Sequence, residues 1–294
     1  MNKNLQILQN KPNNWKAARD LLREYREKQQ RNSFEIMKYG LPLINKKSKT
    51  LSKEELFEVM EQVFLAGLDV NLEESNALLL KLQKQFPKSL RVTKLSGLFE
   101  EAVGNWKKAE NIYQSILKNN PSDQIAQKRL VCISKAQGNT KLTIQNLNKY
   151  LSHFQGDTEA WEELLDLYLS QQCYSKALFC CEELILAEPD NYQHHYQIAN
   201  IYYTIGKRSD LIKARQYYAH SIKLLTEQNL KSFYGLYLTT NKLKSLFSRN
   251  LNQSETQINE QLLQFAKDKI KNFYLQKEDN NTKTTFLKLL ETDK

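Results

Sequence analysis

The chain has 294 residues, of which 40% are hydrophobic and 26% charged, so it can bury a core and is not a disordered polypeptide. Its 8 glycines and 5 prolines are too few for the many turns of a β-sandwich, a barrel or a doubly wound sheet, and we therefore predict long helices joined by short turns. The net charge of +10 lies mainly in residues 1–55, which hold 13 Lys and Arg against 6 Asp and Glu, whereas residues 56–240 are neutral.

The first 55 residues predict a flexible start followed by a helical cap. Residues 1–12 lack an extended apolar stretch, so we expect a flexible N-terminus without a secretory signal. Residues 13–55 hold two capping helices, and the second is expected to end near Gly40 and Pro42. Glu residues alternate with Lys and Arg in this region, so its charge is interpreted as a solvated helix face and no nucleic-acid partner is predicted.

Two residue types recur at one step within residues 56–243. Prolines are separated by 34 and by 68 residues: Pro87, Pro121 and Pro189. Glycines follow at the same separations: Gly104, Gly138 and Gly206. Gln155 and Gln172 stand where the two series lack a proline and a glycine. This 34-residue period is typical of the tetratricopeptide repeat (TPR), a helix–turn–helix unit, so we predict an all-α TPR superhelical solenoid of five to six units with N-terminal and C-terminal capping helices.

Each predicted unit has positions that pack its two helices, A and B, against each other. Small residues are expected where the helices cross, because only they let the backbones approach to about 8–10 Å. Aromatic side chains fill the space beside the crossing, and a proline follows helix B because it cannot continue that helix. The predicted packing residues are Gly97, Ala109, Tyr113, Pro121, Trp161, Tyr168, Ala177, Pro189, Tyr202 and Ala214.

After the repeats, the polar residues 244–253 predict a linker, and residues 254–294 predict amphipathic helices. Ser254 and Gln257 have the spacing of a capping box at the start of the first of these helices. No stretch approaches the roughly 18 consecutive apolar residues that a membrane-spanning helix needs. We therefore predict no direct membrane span.

The sequence contains no recognisable catalytic or metal-binding motif. There is no P-loop, no HExxH and no nucleophile elbow, and the four cysteines form no CxxC pair. His194 and His195 have no carboxylate at ligand spacing, so they are interpreted as core or surface histidines. We predict a protein that is not an enzyme and has no metal, no cofactor and no small-molecule ligand.

The second, fifth, ninth and twelfth positions of helix A are expected to line the concave face of the solenoid. Within this register the predicted partner-binding residues are basic in the earlier units: Arg91, Lys94, Lys128 and Lys135. They are acidic in the fourth unit and aromatic or amide-bearing in the fifth: Glu159, Glu162 and Asp166, then Tyr196, Asn200 and Tyr203. Such zoning suits an extended partner segment of complementary charge, and the alternative is that these side chains only solvate an empty groove.

Several short motifs carry a more specific resemblance over roughly residues 13–240. The most distinctive are Arg31-Asn32-Ser33 and Lys135-Ala136-Gln137-Gly138, because a general TPR consensus explains neither. Leu68-Asp69 lies between them, and the densest stretch begins at Gly156-Asp157 and continues through Glu159-Ala160-Trp161. In these features the chain resembles the family of subunit 2 of the endoplasmic reticulum (ER) membrane protein complex. The match fades after about residue 245.

The resemblance implies a non-catalytic, peripheral scaffold on the cytoplasmic face of the ER membrane. In that family the solenoid holds cytosolic loops and tails of membrane-embedded subunits and carries a globular cytosolic subunit. The complex inserts tail-anchored and multi-pass proteins into the bilayer. The partners expected for this chain are therefore the other subunits of such a complex.

Two other classes of function stay open at this point. A chaperone adaptor of the TPR type needs Lys at the fifth and Asn at the ninth helix A position of one unit. Lys94 is followed by Leu98 and Asn200 is preceded by Tyr196, so no unit completes the pair. An RNA-processing scaffold would account for the net charge of +10, but the neutral centre of the chain argues against it.

Overall fold

The computed structural model describes residues 3–227, 229–247 and 253–275. Within these ranges the chain forms fifteen α-helices and no β-strand, which confirms the all-α prediction. The helices are α1 (Lys3–Asn10), α2 (Trp15–Glu27), α3 (Ser33–Lys47), α4 (Lys53–Val70), α5 (Leu72–Gln85), α6 (Leu90–Val103), α7 (Trp106–Asn119), α8 (Gln124–Ala136), α9 (Thr140–Leu151), α10 (Thr158–Ser170), α11 (Tyr174–Ala187), α12 (Tyr192–Ile205), α13 (Arg208–Leu224), α14 (Leu230–Phe247) and α15 (Gln253–Leu275).

The chain divides into two compact units, Met1–Asn146 and Leu147–Lys294. In the first unit each helix from α1 to α8 packs on the next one in sequence, and α4 also contacts α6. In the second unit α10 to α15 pack in the same sequential way, and α12 also contacts α14. Sequential packing together with contacts between alternate helices is typical of stacked helix–turn–helix repeats.

Close packing between the helices of a repeat depends on small residues at the crossing. Gly97 on α6 faces the ring of Tyr113 on α7, and a Cβ atom built on Gly97 would lie 2.5 Å from Cζ of that ring. Ala109, Ala177 and Ala214 are fully buried, and so is Tyr113. The aromatic packing residues are almost as deeply buried: Trp161, Tyr168, Tyr202. The two prolines of the set occupy exposed turns after α7 and α11: Pro121 and Pro189.

The glycine series marks turns with left-handed backbone. Gly104, Gly138 and Gly206 have φ values of 84°, 69° and 75°, a region that costs a residue with a Cβ atom about 1–2 kcal/mol. Gln172, which stands in the same register, adopts φ of 56° without being a glycine. The turn geometry of the repeat is therefore kept at position 172 at the expense of backbone strain.

A second repeated feature is a hydrogen bond that closes the turn before helix A. Gln127 Nε2 donates to the carbonyl of Pro121, 2.6 Å away, and Trp161 Nε1 donates to the carbonyl of Gln155 at 2.8 Å. His195 Nε2 lies 2.8 Å from the carbonyl of Pro189, which accepts from it. Donor and acceptor are six residues apart in all three cases, and each donor lies 34 residues after the previous one. Glutamine, tryptophan and histidine thus each make the equivalent hydrogen bond in their own turn.

The N-terminal region differs from the sequence prediction in two places. Residues 1–12 were expected to be flexible, but they contain the helix α1. Its Leu8 is fully buried in the hydrophobic core of the first unit. The helix expected to end near Pro42 continues as α3 to Lys47. A proline inside a helix costs about 3 kcal/mol, but Leu43 and Ile44 lie beyond it and are buried, and each such side chain returns about 1.5–3 kcal/mol.

At the other end, α14 continues through Phe247 into the expected linker 244–253, and residues 248–252 lie outside the described part. Helix α15 packs on α14 through Ala266 and Ile270, which are fully buried. Asn259 ties it down by donating to the carbonyl of Thr240 (2.9 Å) and accepting from Arg215 Nη1 (3.1 Å). The predicted helices beyond residue 275 also lie outside the described residues. None of the helices described here is long and apolar enough to cross a membrane.

Candidate partner-binding surfaces

The first unit contains a cavity of about 740 Å³, here called the N-terminal cavity. Its apolar wall comes from four helices and includes side chains that are only partly covered: Leu65 and Leu68 of α4, Leu98 of α6, Trp106 of α7 and Cys132 of α8. Leu65 is 38% exposed, although most apolar side chains of α4 pack into the core. A cavity of this size with apolar walls can accept a peptide segment of several residues.

Three arginines at the rim of the N-terminal cavity are each held by another side chain of the first unit. Arg26 Nη1 donates to Gln62 Oε1 at 2.9 Å, and Arg31 Nη2 lies 2.6 Å from Asp69 Oδ1. Arg129 forms a two-pronged pair with the buried Glu101. Asp69 and Glu101 offset the charges of Arg31 and Arg129, and Glu58 Oε2, 3.5 Å from Arg26 Nη2, offsets that of Arg26.

The pair between Arg129 and Glu101 is part of a buried network. Tyr113 donates its hydroxyl to Glu101 Oε1 at 2.6 Å. Burial, followed by this hydrogen bond, raises the pKa of Tyr113 above its usual range. Burial opposes the charge of Arg129, but the hydrogen bonds and the charge of Glu101 outweigh it and raise the arginine pKa. Tyr113 and Arg129 therefore both keep their protons at physiological pH.

The basic residues predicted for the groove do not border the N-terminal cavity. Arg91 pairs with Glu61 at 2.8 Å, and Lys94 pairs with Asp123 at 2.7 Å. Asp123 also accepts from the backbone N–H of Ala126 at 2.9 Å and so caps α8. Burial opposes ionisation of Asp123, but the hydrogen bonds from Lys94 and the backbone outweigh it and lower its pKa.

The remaining predicted residues of these two zones are placed as follows. Lys128 is half-buried and Lys135 is exposed, and neither lines the N-terminal cavity. The acidic side chains Glu159, Glu162 and Asp166 are exposed on α10, which belongs to the second unit. No group of His, Cys, Asp and Glu within the described residues could hold a metal ion.

The aromatic and amide-bearing zone forms a small pocket in the second unit, here called the tyrosine pocket. Its volume is about 290 Å³, and its lining brings the three predicted residues of α12 together with five others: Tyr196, Asn200 and Tyr203, then Tyr218, Lys231, Tyr234, Gly235 and Leu238. The hydroxyl of Tyr218 donates to Asn200 Oδ1 at 2.5 Å. A Cβ atom on Gly235 would collide with the ring of Tyr218, so this glycine makes room for the pocket wall.

The thiols in the core of the second unit are not reactive groups. Cys180 and Cys181 on α11 are fully buried. Burial raises the pKa of both thiols to about 12, so the thiolate form that attacks a substrate or binds a metal is scarcely populated. They are interpreted as core residues.

Comparison with known proteins identifies the family. Residues 78–223 match the family model described as the EMC2 TPR-like repeat domain. ER membrane protein complex subunit 2-A of Xenopus laevis is 38% identical over 227 residues, which cover 77% of this chain and 76% of that protein. This chain belongs to the ER membrane protein complex subunit 2 family. The resemblance carried by the sequence motifs is thereby confirmed.

Two further proteins match this chain over somewhat smaller shares of its length. ER membrane protein complex subunit 2 of Dictyostelium discoideum is 37% identical over 214 residues, covering 72% of this chain and 66% of that protein. TPR repeat protein oca3 of Schizosaccharomyces pombe is 29% identical over 217 residues, covering 71% of this chain and 75% of that protein. The chain is thus a TPR-repeat subunit associated with the ER membrane protein complex.

Two of the motifs that carry the subunit 2 resemblance meet at the rim of the N-terminal cavity. Asp69, from Leu68-Asp69 at the end of α4, accepts from Ser33 Oγ at 2.5 Å as well as from Arg31. The hydrogen bonds from Ser33 and then Arg31 lower the pKa of Asp69. One carboxylate thus fixes the turn between α2 and α3 to α4, which gives the otherwise unexplained Arg31-Asn32-Ser33 a structural role.

Proposed function

We propose that this chain is a non-catalytic scaffold on the cytoplasmic face of the ER membrane, where it holds cytosolic segments of membrane-embedded subunits and a globular cytosolic subunit. Through that role it serves a complex that inserts tail-anchored and multi-pass proteins. Membership of the subunit 2 family supports the place of the chain in the complex. The N-terminal cavity is the observation that carries the binding role.

The chemistry of the N-terminal cavity favours an apolar partner segment. Its rim arginines are already paired within the chain, so a highly charged ligand would gain little there. Its wall, in contrast, leaves Leu65 and Trp106 partly exposed to water, and covering such surface returns about 25 cal/mol per Å². The occupant we propose is therefore a loop or tail with leucine, isoleucine or phenylalanine anchors.

The binding role is tested by co-purification from detergent-solubilised ER membranes, with identification of the recovered proteins. We expect Leu65→Glu, which places a charge in the N-terminal cavity, to lower recovery of the membrane-embedded subunits at least tenfold. Leu80→Glu is the matched control, because Leu80 is 58% exposed on α5 and does not line the cavity. Full recovery of every partner with Leu65→Glu would exclude the cavity as the main assembly surface.

The location is tested separately by fractionation. We expect the chain to sediment with ER membranes and to be released by alkaline carbonate. A protease added to intact ER vesicles should digest it, because the proposed site is on the cytoplasmic face. Retention after carbonate treatment, or protection from the protease, would contradict a peripheral cytoplasmic location.

A further inference from the structure

The tyrosine pocket holds several hydrogen-bond donors without a partner among the described residues. Asn200 uses its Oδ1 to accept from Tyr218, so its amide Nδ2 remains available to a ligand. The hydroxyls of Tyr196 and Tyr203 also form no hydrogen bond within the described part of the chain. Donors gathered in one concave site and left unused by the fold indicate a ligand rich in acceptors.

The charged residues around the tyrosine pocket indicate whether that ligand is negatively or positively charged. Its lining includes the basic residue Lys231 and no acidic residue. A second lysine borders it, since Lys242 Nζ lies 4.5 Å from the ring centroid of Tyr203. Neither lysine has an ion-pair partner in the residues that the structure describes. Tyrosine rings alone could accept a cation, but two unpaired ammonium groups disfavour one and favour carboxylates.

The spacing of the two lysines constrains the ligand further. Lys231, Tyr234, Leu238 and Lys242 lie on one face of α14, at successive separations of three or four residues. Lys231 and Lys242 are eleven residues apart, which is about 16 Å along the helix. An extended peptide spans that distance in about five residues. Leu238, 47% exposed between them, offers an apolar contact.

We propose that the tyrosine pocket binds an extended acidic peptide segment, with two carboxylate side chains about five residues apart and an aromatic or aliphatic side chain between them. The carboxylates pair with Lys231 and Lys242. The central side chain packs against Leu238 and the tyrosine rings, and Asn200 Nδ2 donates to a peptide carbonyl. A volume of about 290 Å³ fits one large side chain rather than a whole drug-sized molecule.

This proposal extends the scaffold function to a second site with a different specificity, and its test uses the purified full-length chain alone. The probe is a fluorescein-labelled peptide of sequence Gly-Asp-Ser-Phe-Ser-Gly-Asp-Gly, followed by fluorescence polarisation. We expect it to bind at least tenfold more tightly than a peptide with both Asp replaced by Lys. Replacement of Phe by Ser should weaken binding several-fold.

Protein variants then locate the site. Lys231→Gln and Lys242→Gln should each weaken binding of the acidic probe about three- to tenfold. Asn200→Asp keeps an acceptor for Tyr218 but puts a negative charge in the pocket, so it should weaken binding more than tenfold. Lys244→Gln is the matched control, because Lys244 is exposed on α14 at a position that does not line the pocket. Circular dichroism of each variant verifies the helical fold, and the lysine variants decide the matter if Asn200→Asp fails to fold.

Three results would overturn the proposal: no saturable binding of the acidic probe, equal or tighter binding of the lysine-containing peptide, or an equal loss with Lys244→Gln and Lys231→Gln. The second result would identify the site as an aromatic cage for cations. None of them bears on co-purification of the complex subunits, so failure here leaves the proposed scaffold function standing.

Discussion

Gln172→Gly should stabilise the protein, even though it removes a side chain. Gln172 is exposed and has φ of 56°, whereas the same register elsewhere is occupied by glycines. Its backbone N–H donates to the carbonyl of Leu169 at 2.9 Å, and the next N–H, of Cys173, donates to Tyr168 O at 2.9 Å. The turn at Gly138 has the same pair of bonds, so glycine fits the geometry without any backbone change.

The magnitude follows from two opposing effects. Relief of left-handed strain returns about 1–2 kcal/mol. Glycine makes the unfolded chain more flexible, which costs about 0.4–1 kcal/mol. We therefore expect the free energy of unfolding to rise by about 0.5–1 kcal/mol.

Urea unfolding followed by far-ultraviolet circular dichroism measures this change. Gln171→Gly is the matched control, because Gln171 has φ of −95° and carries no such strain. It should lower the free energy of unfolding by about 0.5–1 kcal/mol, the usual entropic cost of a glycine. If both variants lose stability equally, the backbone at Gln172 is not strained and the reasoning is wrong.

Three further predictions concern packing, the C-terminal helix and pH. Gly97→Leu should lower the free energy of unfolding, measured with urea, by about 1–3 kcal/mol or more through overpacking against α7. Gly156→Ala is the control and should change this free energy little, because the space around Gly156 is open. Asn259→Leu should cost about 2 kcal/mol, because it leaves the buried Arg215 without its hydrogen-bond acceptor, and limited proteolysis should then cleave within α15 faster. The pKa of Asp123 is lowered in the folded protein, so its contribution to stability is present above about pH 4 and is lost as the pH falls below that value. Asp123→Asn removes this contribution. The urea midpoint of that variant should therefore fall less steeply on the acid side of a plot against pH.

The sequence predicted the fold correctly where local chemistry determines it. The prediction was wrong where burial overrides local chemistry. Glycine and proline at a 34-residue step have direct backbone consequences, so the repeat register was accessible from the sequence. Pro42 shows the opposite case. Its local preference ends a helix, but the buried Leu43 and Ile44 favour continuation, and burial depends on partners that no local pattern contains.

The candidate sites divide in the same way. Helix periodicity indicated the α12 face, and Tyr196, Asn200 and Tyr203 do lie together in the tyrosine pocket. Periodicity did not reveal that Lys94 reaches Asp123, because the side chain is long and its partner lies at the start of the next repeat. It also gave no sign of Lys231, which lies on α14, beyond the helix A positions that the register supplied.

The hydrogen bond made in turn by Gln127, Trp161 and His195 has a consequence for how such repeats diverge. What the position must supply is one N–H at a fixed reach, and an amide, an indole and an imidazole all supply it. Mutation can therefore exchange these three chemically unlike residues without opening the turn, while a scoring scheme based on residue identity records each exchange as decay. Since every bond closes within its own turn, loss of one donor should affect that turn and leave the neighbouring turns unchanged. Tolerance of this kind lets a repeat array lose its consensus sequence long before it loses its geometry.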